Sequence, residues 1–412
     1  MTQSTAAAPT KPALPVWVII LAAGTIVGMA MGLRQVMGLY LKPMTTSLGI
    51  GREPFSDAMA IANLVWGLAA IVTGAIADRK GAGRVIVVCA LATATGLYLM
   101  YAARTGLELY VSGLLLGLGV AGTGVTALVG AVGRAAPADK RTAAIASLGM
   151  AGGIGQLIAL PYTHLLIETL GWQKSLLVLS ATALLIIPLA YPLAGKPLRV
   201  DTGVKPQTLT EAFGEAFAHP SFWLLTAGFF VCGFHVAFYG VHIYAFAADK
   251  GLEPWVGTAA FMMVGVANII GTYIAGRSTK VVERRVSLSF IYFARCFVFI
   301  GLLYLPITPF SLIALSTILG FLWLSTVPLT SSLVAIFFGT TWMSMLFGFV
   351  FLSHQLGSFA GLKLAGMVYD ATKSYDFMWW ISIAMGLFAA AVHWPIRERP
   401  VARLKMPTPV AA

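Results

Sequence analysis

The sequence predicts an all-α polytopic membrane protein whose twelve transmembrane helices form two pseudo-symmetric lobes of six. Of the 412 residues, 58% are hydrophobic and only 10% are charged, and the mean hydropathy is +0.86. Apolar stretches long enough to cross a bilayer as helices recur along the chain, without the period-two alternation of a β-barrel. The longest polar stretch divides these apolar stretches into two sets of six.

Breaks at proline, glycine and charge clusters define the predicted spans and domains. In the first lobe (16–193) the spans are 16–40, 55–77, 85–103, 107–132, 143–167 and 173–193. In the second lobe (222–396) they are 222–247, 255–276, 286–304, 308–337, 342–368 and 376–396. Polar tails at 1–15 and 397–412 flank the lobes. The connector 194–221 contains TLTEAFGEAF, which predicts a short amphipathic interfacial helix.

The distribution of basic residues predicts that both tails and the connector lie in the cytoplasm. With this orientation, 18 of the 27 Lys and Arg residues fall in inner segments and 6 in outer segments. The net charge of +12 then reflects topology and not a nucleic-acid surface. The tail 1–15 has no signal-peptide pattern. We therefore expect a monomer in the lipid bilayer of a bacterial inner (cytoplasmic) membrane.

A glycine- and charge-rich loop follows the second predicted span, with the sequence GAIADRKGAGR. It resembles the loop signature of the major facilitator superfamily, with Gly74, Asp78, Arg79, Gly81 and Arg84 at the signature positions. The resemblance implies a transporter of the major facilitator fold. It also implies that this loop is a conformational latch and not a substrate site.

A second resemblance covers the fourth and fifth predicted spans. The glycine-rich segments 117–124 and 140–156, followed by Leu170-Gly171-Trp172, resemble the monocarboxylate and oxalate/formate transporter families. The resemblance implies transport of organic anions. The eighth span has no basic residue in 262–273, where these families usually have an arginine.

The apolar runs contain arginine and histidine residues but no acidic residues near their middles. Arg34, His235, Arg295 and His354 lie inside predicted spans, whereas no Asp or Glu lies near the middle of one. A cation in hydrocarbon costs roughly 3 kcal/mol on insertion scales. The simplest partner for such a cation is an anionic substrate.

The resemblance to the superfamily implies that spans 1, 4, 7 and 10 line a central cavity and that spans 2, 5, 8 and 11 flank it. In span 7, His235, Tyr239 and His242 share one helical face. Tyr239 can donate a hydrogen bond to a carboxylate. His235 can titrate near neutral pH, which makes it a candidate for proton coupling.

Further candidates for substrate binding lie in spans 9 to 11. His354 and Gln355 occupy the middle of span 11, and His354 is the second candidate for proton coupling. Trp323 in span 10 can form an aromatic wall. Arg295 in span 9 can contact substrate or bind carbonyls of a neighbouring helix. Lys363 is expected to extend to the outer headgroups.

These patterns predict a secondary active transporter for a small organic anion, a mono- or dicarboxylate, working by alternating access with proton symport or anion exchange. The alternatives are an efflux pump for drugs or other hydrophobic compounds, and an importer of a larger conjugate such as a siderophore or peptide fragment. The sequence has no metalloprotease, paired-carboxylate, Ser/His/Asp or Walker pattern, so no enzyme activity is predicted. Its three cysteines lie in apolar runs without paired spacing, and we predict no metal and no cofactor.

Overall fold

The computed structural model describes residues 14–136, 141–194, 208–339 and 342–404. Regular structure within these ranges is helical. The α-helices are Val16–Gln35, Leu41–Leu48, Arg52–Lys80, Ala82–Ala102, Gly106–Thr123, Val125–Ala135, Arg141–Leu184, Ile186–Leu189, Leu209–Phe217, Pro220–Asp249, Pro254–Ser278, Arg284–Tyr304, Pro309–Phe321, Thr326–Phe338, Met343–Thr372 and Asp376–His393. Short 3₁₀-helices occupy Val36–Tyr40, Tyr191–Leu193 and Ala402–Leu404.

The described helices form twelve crossings, as the sequence predicts. Eleven are long and apolar enough to cross a membrane, and one of these, Ser147–Leu189, is 43 residues long. A straight helix of that length would measure about 65 Å, twice the hydrocarbon thickness. Gly171 breaks it at φ 76° and ψ 163°. The hydroxyl oxygens of Tyr162 and Thr182 lie 3.1 Å apart, so the two halves are antiparallel and form spans 5 and 6.

The α-helices of spans 1, 4 and 10 are each divided by a break. A 3₁₀ turn at Val36–Tyr40 interrupts span 1, Gly124 separates two helices in span 4, and residues 322–325 divide span 10. Irregular backbone at membrane depth is tolerated where protein or a cavity surrounds it. Span 1 continues beyond its predicted end, as far as Leu48, because apolar residues of its last helix, such as Met44, are buried.

The two lobes meet at one end of the bundle. We call the end that carries the connector helix Leu209–Phe217 the linker end, and the opposite one the far end. Spans 2 and 11 pack together across the lobe interface, and so do spans 5 and 8. Towards the linker end, the same four spans leave open space. Each has a glycine at which an added Cβ would meet no described atom within 4 Å: Gly74, Gly149, Gly276 and Gly348.

The connector helix begins as its sequence predicts. Thr208 accepts a hydrogen bond from the backbone N–H of Glu211, and the Glu211 carboxylate accepts one from the backbone N–H of Thr208. This reciprocal pair satisfies two free donors at the helix start. Residues 195–207 of the connector, 1–13 of the first predicted tail and 405–412 of the second lie outside the described residues.

Candidate substrate-binding site

A cavity lies between the lobes near the middle of the bundle. Spans 1, 2, 3 and 4 line it from the first lobe, and span 7 lines it from the second. Its lining includes Leu33, Arg34, Gln35, Met37, Met59, Asn63, Trp66, Thr93, Val236, Ala237, Gly240 and Val241. Among the described lining residues, Arg34 is the only one with a formal charge. A largely apolar pocket with a few polar groups is typical of a small-molecule site.

Arg34 lies in the last turn of helix Val16–Gln35, where the free carbonyls favour a cation. Its Nη1 donates to Gln35 Oε1 at 2.9 Å, and its Nη2 donates to Asn63 Oδ1 at 2.8 Å. The guanidinium carbon lies 4.8 Å from the centre of the Trp66 ring. No described Asp or Glu forms an ion pair with Arg34. The guanidinium is therefore held by neutral groups and keeps donor capacity for an anion.

One hydrogen-bonded path leads from Arg34 through span 5 to the second lobe. Gln35 Nε2 donates to Gln156 Oε1 at 3.2 Å, and Gln156 Nε2 donates to the carbonyl of Phe261 in span 8 at 3.2 Å. Gln156 is 7% exposed, so this contact across the lobe interface is shielded from water. Two side chains, those of Gln35 and Gln156, therefore link Arg34 to the backbone of the opposite lobe.

A second path reaches the second lobe through span 2. Gln355 Nε2 in span 11 donates to the carbonyl of Asn63 at 3.0 Å, and Gln355 is 0% exposed. His354 Nδ1 lies 3.0 Å from Gln355 Oε1, so the ring nitrogen is the donor in that contact. The structure thus brings the predicted residues Arg34, His354 and Gln355 into one network through Asn63.

Two residues of the predicted span 7 face point into the second lobe. His235 is 1% exposed, and its Nε2 donates to the carbonyl of Ser382 in span 12 at 2.9 Å. The Tyr239 hydroxyl lies 2.6 Å from the Ser316 hydroxyl in span 10. Both side chains join helices within the lobe, and neither belongs to the cavity lining.

Arg295 and Trp323 also lie within the second lobe. Arg295 is 0% exposed, and its Nη2 donates to the carbonyl of Leu322 at 2.7 Å and to that of Trp323. These carbonyls lie just after the end of helix Pro309–Phe321, where the helix dipole is negative. Trp323 is 2% exposed and packs edge-on against Phe261. The broken span 10 thus supplies the groups that balance Arg295.

Ion pairs between the lobes close the far end. Lys363 Nζ pairs with Asp57 at 2.9 Å and with Glu53 at 3.4 Å, so it does not extend to the headgroups as its sequence position suggests. Arg52 Nη2 pairs with Asp249 at 2.8 Å. The Asp370 carboxylate accepts the backbone N–H groups of Arg52 and Glu53, both at 2.8 Å. A side chain of the second lobe thereby caps a helix of the first.

His242 belongs to this far-end interface. The hydroxyl of Tyr375 accepts from Arg52 Nη1 at 2.6 Å, and it lies 2.8 Å from His242 Nδ1. His242 Nε2 lies 3.2 Å from the Ser56 hydroxyl, which donates to the Arg52 carbonyl at 2.8 Å. The bonds form a closed ring across the lobe interface.

The loop that follows span 2 is described mainly by its backbone. Gly81 adopts φ 94°, a left-handed conformation that favours glycine, between helices Arg52–Lys80 and Ala82–Ala102. Arg84 is exposed. A Cβ added at Gly74 would meet no described atom within 4 Å. The side chains of Asp78 and Arg79 lie outside the described part of the structure, so the predicted latch contacts remain a prediction.

Sequence reasoning missed the far-end ion pairs. Asp57, Asp249 and Asp370 lie in the first or last two turns of their helices, where charged residues are ordinary and carry no pairing signal. An indirect signal is that Asp57 and Lys363 both lie at the outer ends of spans that flank the cavity. The partners are 306 residues apart in the sequence, and only the fold brings them together.

A two-lobed bundle of twelve spans, with a cavity between the lobes, has the architecture of a membrane transporter. The family model of the Major Facilitator Superfamily matches residues 16–362, and the chain belongs to this superfamily. It is an integral membrane protein and a transporter of this superfamily, as its loop signature and span number predict.

Curated relatives include monocarboxylate transporters. Monocarboxylate transporter 11 of Mus musculus is 30% identical over 256 residues, which cover 61% of this chain and 56% of that protein. The Homo sapiens protein of the same name is 29% identical over 61% of this chain and 53% of its own length. The chain thus spans just over half the length of these relatives. The uncharacterized MFS-type transporter YhjX of Escherichia coli (strain K12) is 23% identical over 350 residues, which cover 81% of this chain and 84% of that protein.

Solved structures share the fold at low sequence identity. A bacterial homologue of the human lysosomal transporter Spinster, in an inward-facing and unoccupied conformation, superimposes with a TM-score of 0.70 at 15% identity. The match covers 93% of this chain and 95% of that one. The inward-facing, occupied form gives a TM-score of 0.66 with the same coverage. This likeness shows the fold alone.

Proposed function

We propose that the protein is a secondary active transporter that carries a small organic anion, a mono- or dicarboxylate, by alternating access. The observation that supports this proposal most directly is Arg34. It is the only charged residue of the described cavity lining, and no described carboxylate pairs with it. A cation that is kept away from carboxylates in a low-dielectric cavity provides favourable binding energy for an anion.

The other side of the cavity favours a substrate with an apolar part. Val236, Ala237 and Val241 of span 7 face the cavity opposite the first lobe. A short hydrocarbon group could pack there while a carboxylate binds Arg34. The similarity to mouse and human proteins named monocarboxylate transporter 11 supports this substrate class.

The packing supports a state that is open at the linker end and closed at the far end. The excess of basic residues in the segments at the linker end favours a cytoplasmic location for it. The protein would then face inward, in a cytoplasmic membrane. Proton symport and anion exchange are both consistent with a single cation in the cavity.

Uptake into proteoliposomes tests the substrate class. Radiolabelled acetate, lactate and succinate should be offered with and without an inward proton gradient. We expect saturable uptake of at least one carboxylate, and a gradient dependence would indicate proton symport. Absence of uptake and of exchange for every carboxylate would refute the anion proposal.

The apolar lining also supports the export of neutral hydrophobic compounds as a second candidate. Leu33, Met37 and Met59 provide flexible apolar surface around Arg34. Efflux of fluorescent hydrophobic dyes measures this activity. Dye efflux that is retained in Arg34→Ala, together with no carboxylate uptake, would favour export.

Replacing single histidines is expected to identify the residue that carries a coupled proton. His354 is the best candidate because it is hydrogen-bonded into the network of Arg34. His354→Gln should retain anion exchange but lose the response of uptake to a proton gradient. His235→Gln is the matched control, since His235 bonds within the second lobe. Loss of the gradient response in His235→Gln alone would reverse this assignment.

Alternating access predicts that four glycines meet when the linker end closes. Gly74, Gly149, Gly276 and Gly348 each lie seven residues from a residue at the closed interface: Gly67, Gln156, Ile269 and Gln355, respectively. Seven residues are about two helical turns, so each pair shares a helical face. The helix surface at these glycines, which now borders open space, is therefore the surface that would form the contact between the lobes.

Bulky side chains at these glycines are expected to stop transport without unfolding the protein. Gly348→Leu has room in the present state, so its melting temperature should stay close to that of the wild type. Its uptake should fall at least tenfold, because spans 2 and 11 could no longer approach at the linker end. Gly214→Leu, in the connector helix, is the control with equally open space. Normal uptake by Gly348→Leu would contradict closure at this contact.

A further inference from the structure

We propose that Gln156 and Gln355 form a pair of bridges between the lobes, and that Arg34 couples both bridges to occupancy of the anion site. This inference rests on the proposed function, because it assigns two positioning residues to the same site. The bridges are related by the repeat of the fold. Span 5 corresponds to span 11 and span 2 to span 8, six spans apart. Each glutamine donates its Nε2 to a backbone carbonyl of the opposite lobe.

Hydrogen-bond partners fix the orientation of every amide in the network. Gln35 Oε1 accepts from Arg34, so its Nε2 faces Gln156 Oε1. That leaves Gln156 Nε2 for the carbonyl of Phe261. Turning any of these amides around would place donor against donor or acceptor against acceptor. No single amide can therefore flip to compensate when Arg34 releases its hydrogen bond to Gln35. The loss of that bond is transmitted along the path to the contact with Phe261.

The second bridge depends on the same guanidinium through Asn63. The Asn63 side chain accepts from Arg34, and its Nδ2 donates to the carbonyl of Met59 at 2.8 Å. Its own carbonyl receives Gln355. Arg34 thus holds the side chain of the residue whose backbone carries the second bridge.

Anion binding would loosen both bridges by competition. A carboxylate is a stronger acceptor than an amide oxygen, so it would draw guanidinium donors away from Gln35 and Asn63. Once Gln35 turns, it no longer holds Gln156 in position. Since spans 5 and 8, and spans 2 and 11, must separate when the far end opens, both bridges have to break in that step. An anion at Arg34 therefore favours opening of the far end.

Distances between spin labels test the bridges without any ligand. Thr46→Cys in the first lobe and Lys250→Cys in the second place labels on exposed far-end residues. The three native cysteines are buried. Electron–electron double resonance in liposomes gives the populations of far-closed and far-open protein. Gln156→Leu/Gln355→Leu should raise the ratio of far-open to far-closed protein about tenfold, as expected for two buried interhelical hydrogen bonds.

Two comparisons exclude a nonspecific effect. Each single variant, Gln156→Leu or Gln355→Leu, should give a smaller shift than the double variant, with melting temperature as a check on folding. Gln173→Leu, at a half-buried glutamine outside both bridges, should leave the populations unchanged. A double variant as far-closed as the wild type would overturn the proposal.

A double-mutant cycle with Arg34→Met tests the coupling itself. We expect Arg34→Met to raise the far-open population in the wild type and to add little in Gln156→Leu/Gln355→Leu, because the bridges through which it acts are then absent. Effects that simply add would show that Arg34 does not act through the bridges. Neither measurement uses a carboxylate, so failure of the anion proposal appears separately, as absence of uptake.

Discussion

Arg34→Ala is expected to lower carboxylate affinity by about 100-fold, which corresponds to about 2.8 kcal/mol at tenfold per 1.4 kcal/mol. A hydrogen bond to a charged group contributes about 1.5 to 3 kcal/mol, and a bidentate guanidinium–carboxylate pair makes two. The measurements are the concentration dependence of uptake and ligand binding by calorimetry. The transported carboxylate from the uptake panel is the probe.

Two variants serve as controls for this prediction. Arg34→Lys keeps the charge but loses the planar fork, so we expect an intermediate loss of about tenfold. Arg104→Ala removes an exposed arginine at the far end and should leave affinity unchanged. Wild-type affinity in Arg34→Ala would show that the anion binds elsewhere. Equal losses in Arg34→Ala and Arg104→Ala would indicate a general effect of surface charge.

The number of spans and their grouping could be predicted from the sequence because both depend on local composition. Hydrophobic length sets each crossing, and the polar connector separates the halves. The antiparallel turn at Gly171 was also predictable, since the sequence places a break between spans 5 and 6 there. The continuation of span 1 to Leu48 was not, because burial of Met44 depends on distant helices.

The candidate site was predicted only in part, for a physical reason. A sequence shows that His235, Tyr239 and His242 share a helical face, but not which way that face points. In the structure, His235 and Tyr239 face the interior of their own lobe, and His242 reaches the lobe interface. Rotation of a helix about its axis is set by packing against its neighbours, which local periodicity does not encode.

The two arginines inside the predicted spans, Arg34 and Arg295, are balanced in different ways. Arg34 faces a cavity and is held by side-chain amides, which an anion can replace. Arg295 is closed off from the cavity and is balanced by backbone carbonyls at a broken helix. A missing carboxylate therefore indicates an anionic ligand only where the cation is accessible. The backbone is the alternative partner wherever a helix is interrupted.

Arg295→Met is expected to be the most destabilising single substitution among the predicted site residues. The substitution leaves the carbonyls of Leu322 and Trp323 without this donor in a fully buried setting. Each buried group that loses its partner costs about 1 to 3 kcal/mol, so the loss is roughly 2 to 6 kcal/mol. We expect a melting temperature in detergent that is lower by about 2 to 7 °C, and a reduced yield of folded protein.

Two further variants test whether the loss of stability in Arg295→Met comes from the loss of the buried guanidinium. Arg295→Lys retains a cation that can reach one carbonyl, so its melting temperature should lie between those of Arg295→Met and the wild type. Arg104→Met makes the same chemical change at an exposed site and should melt as the wild type does. If Arg295→Met kept its melting temperature but lost carboxylate binding, Arg295 would be a ligand-binding residue. The present geometry favours stabilisation, because the guanidinium that joins spans 9 and 10 is 0% exposed.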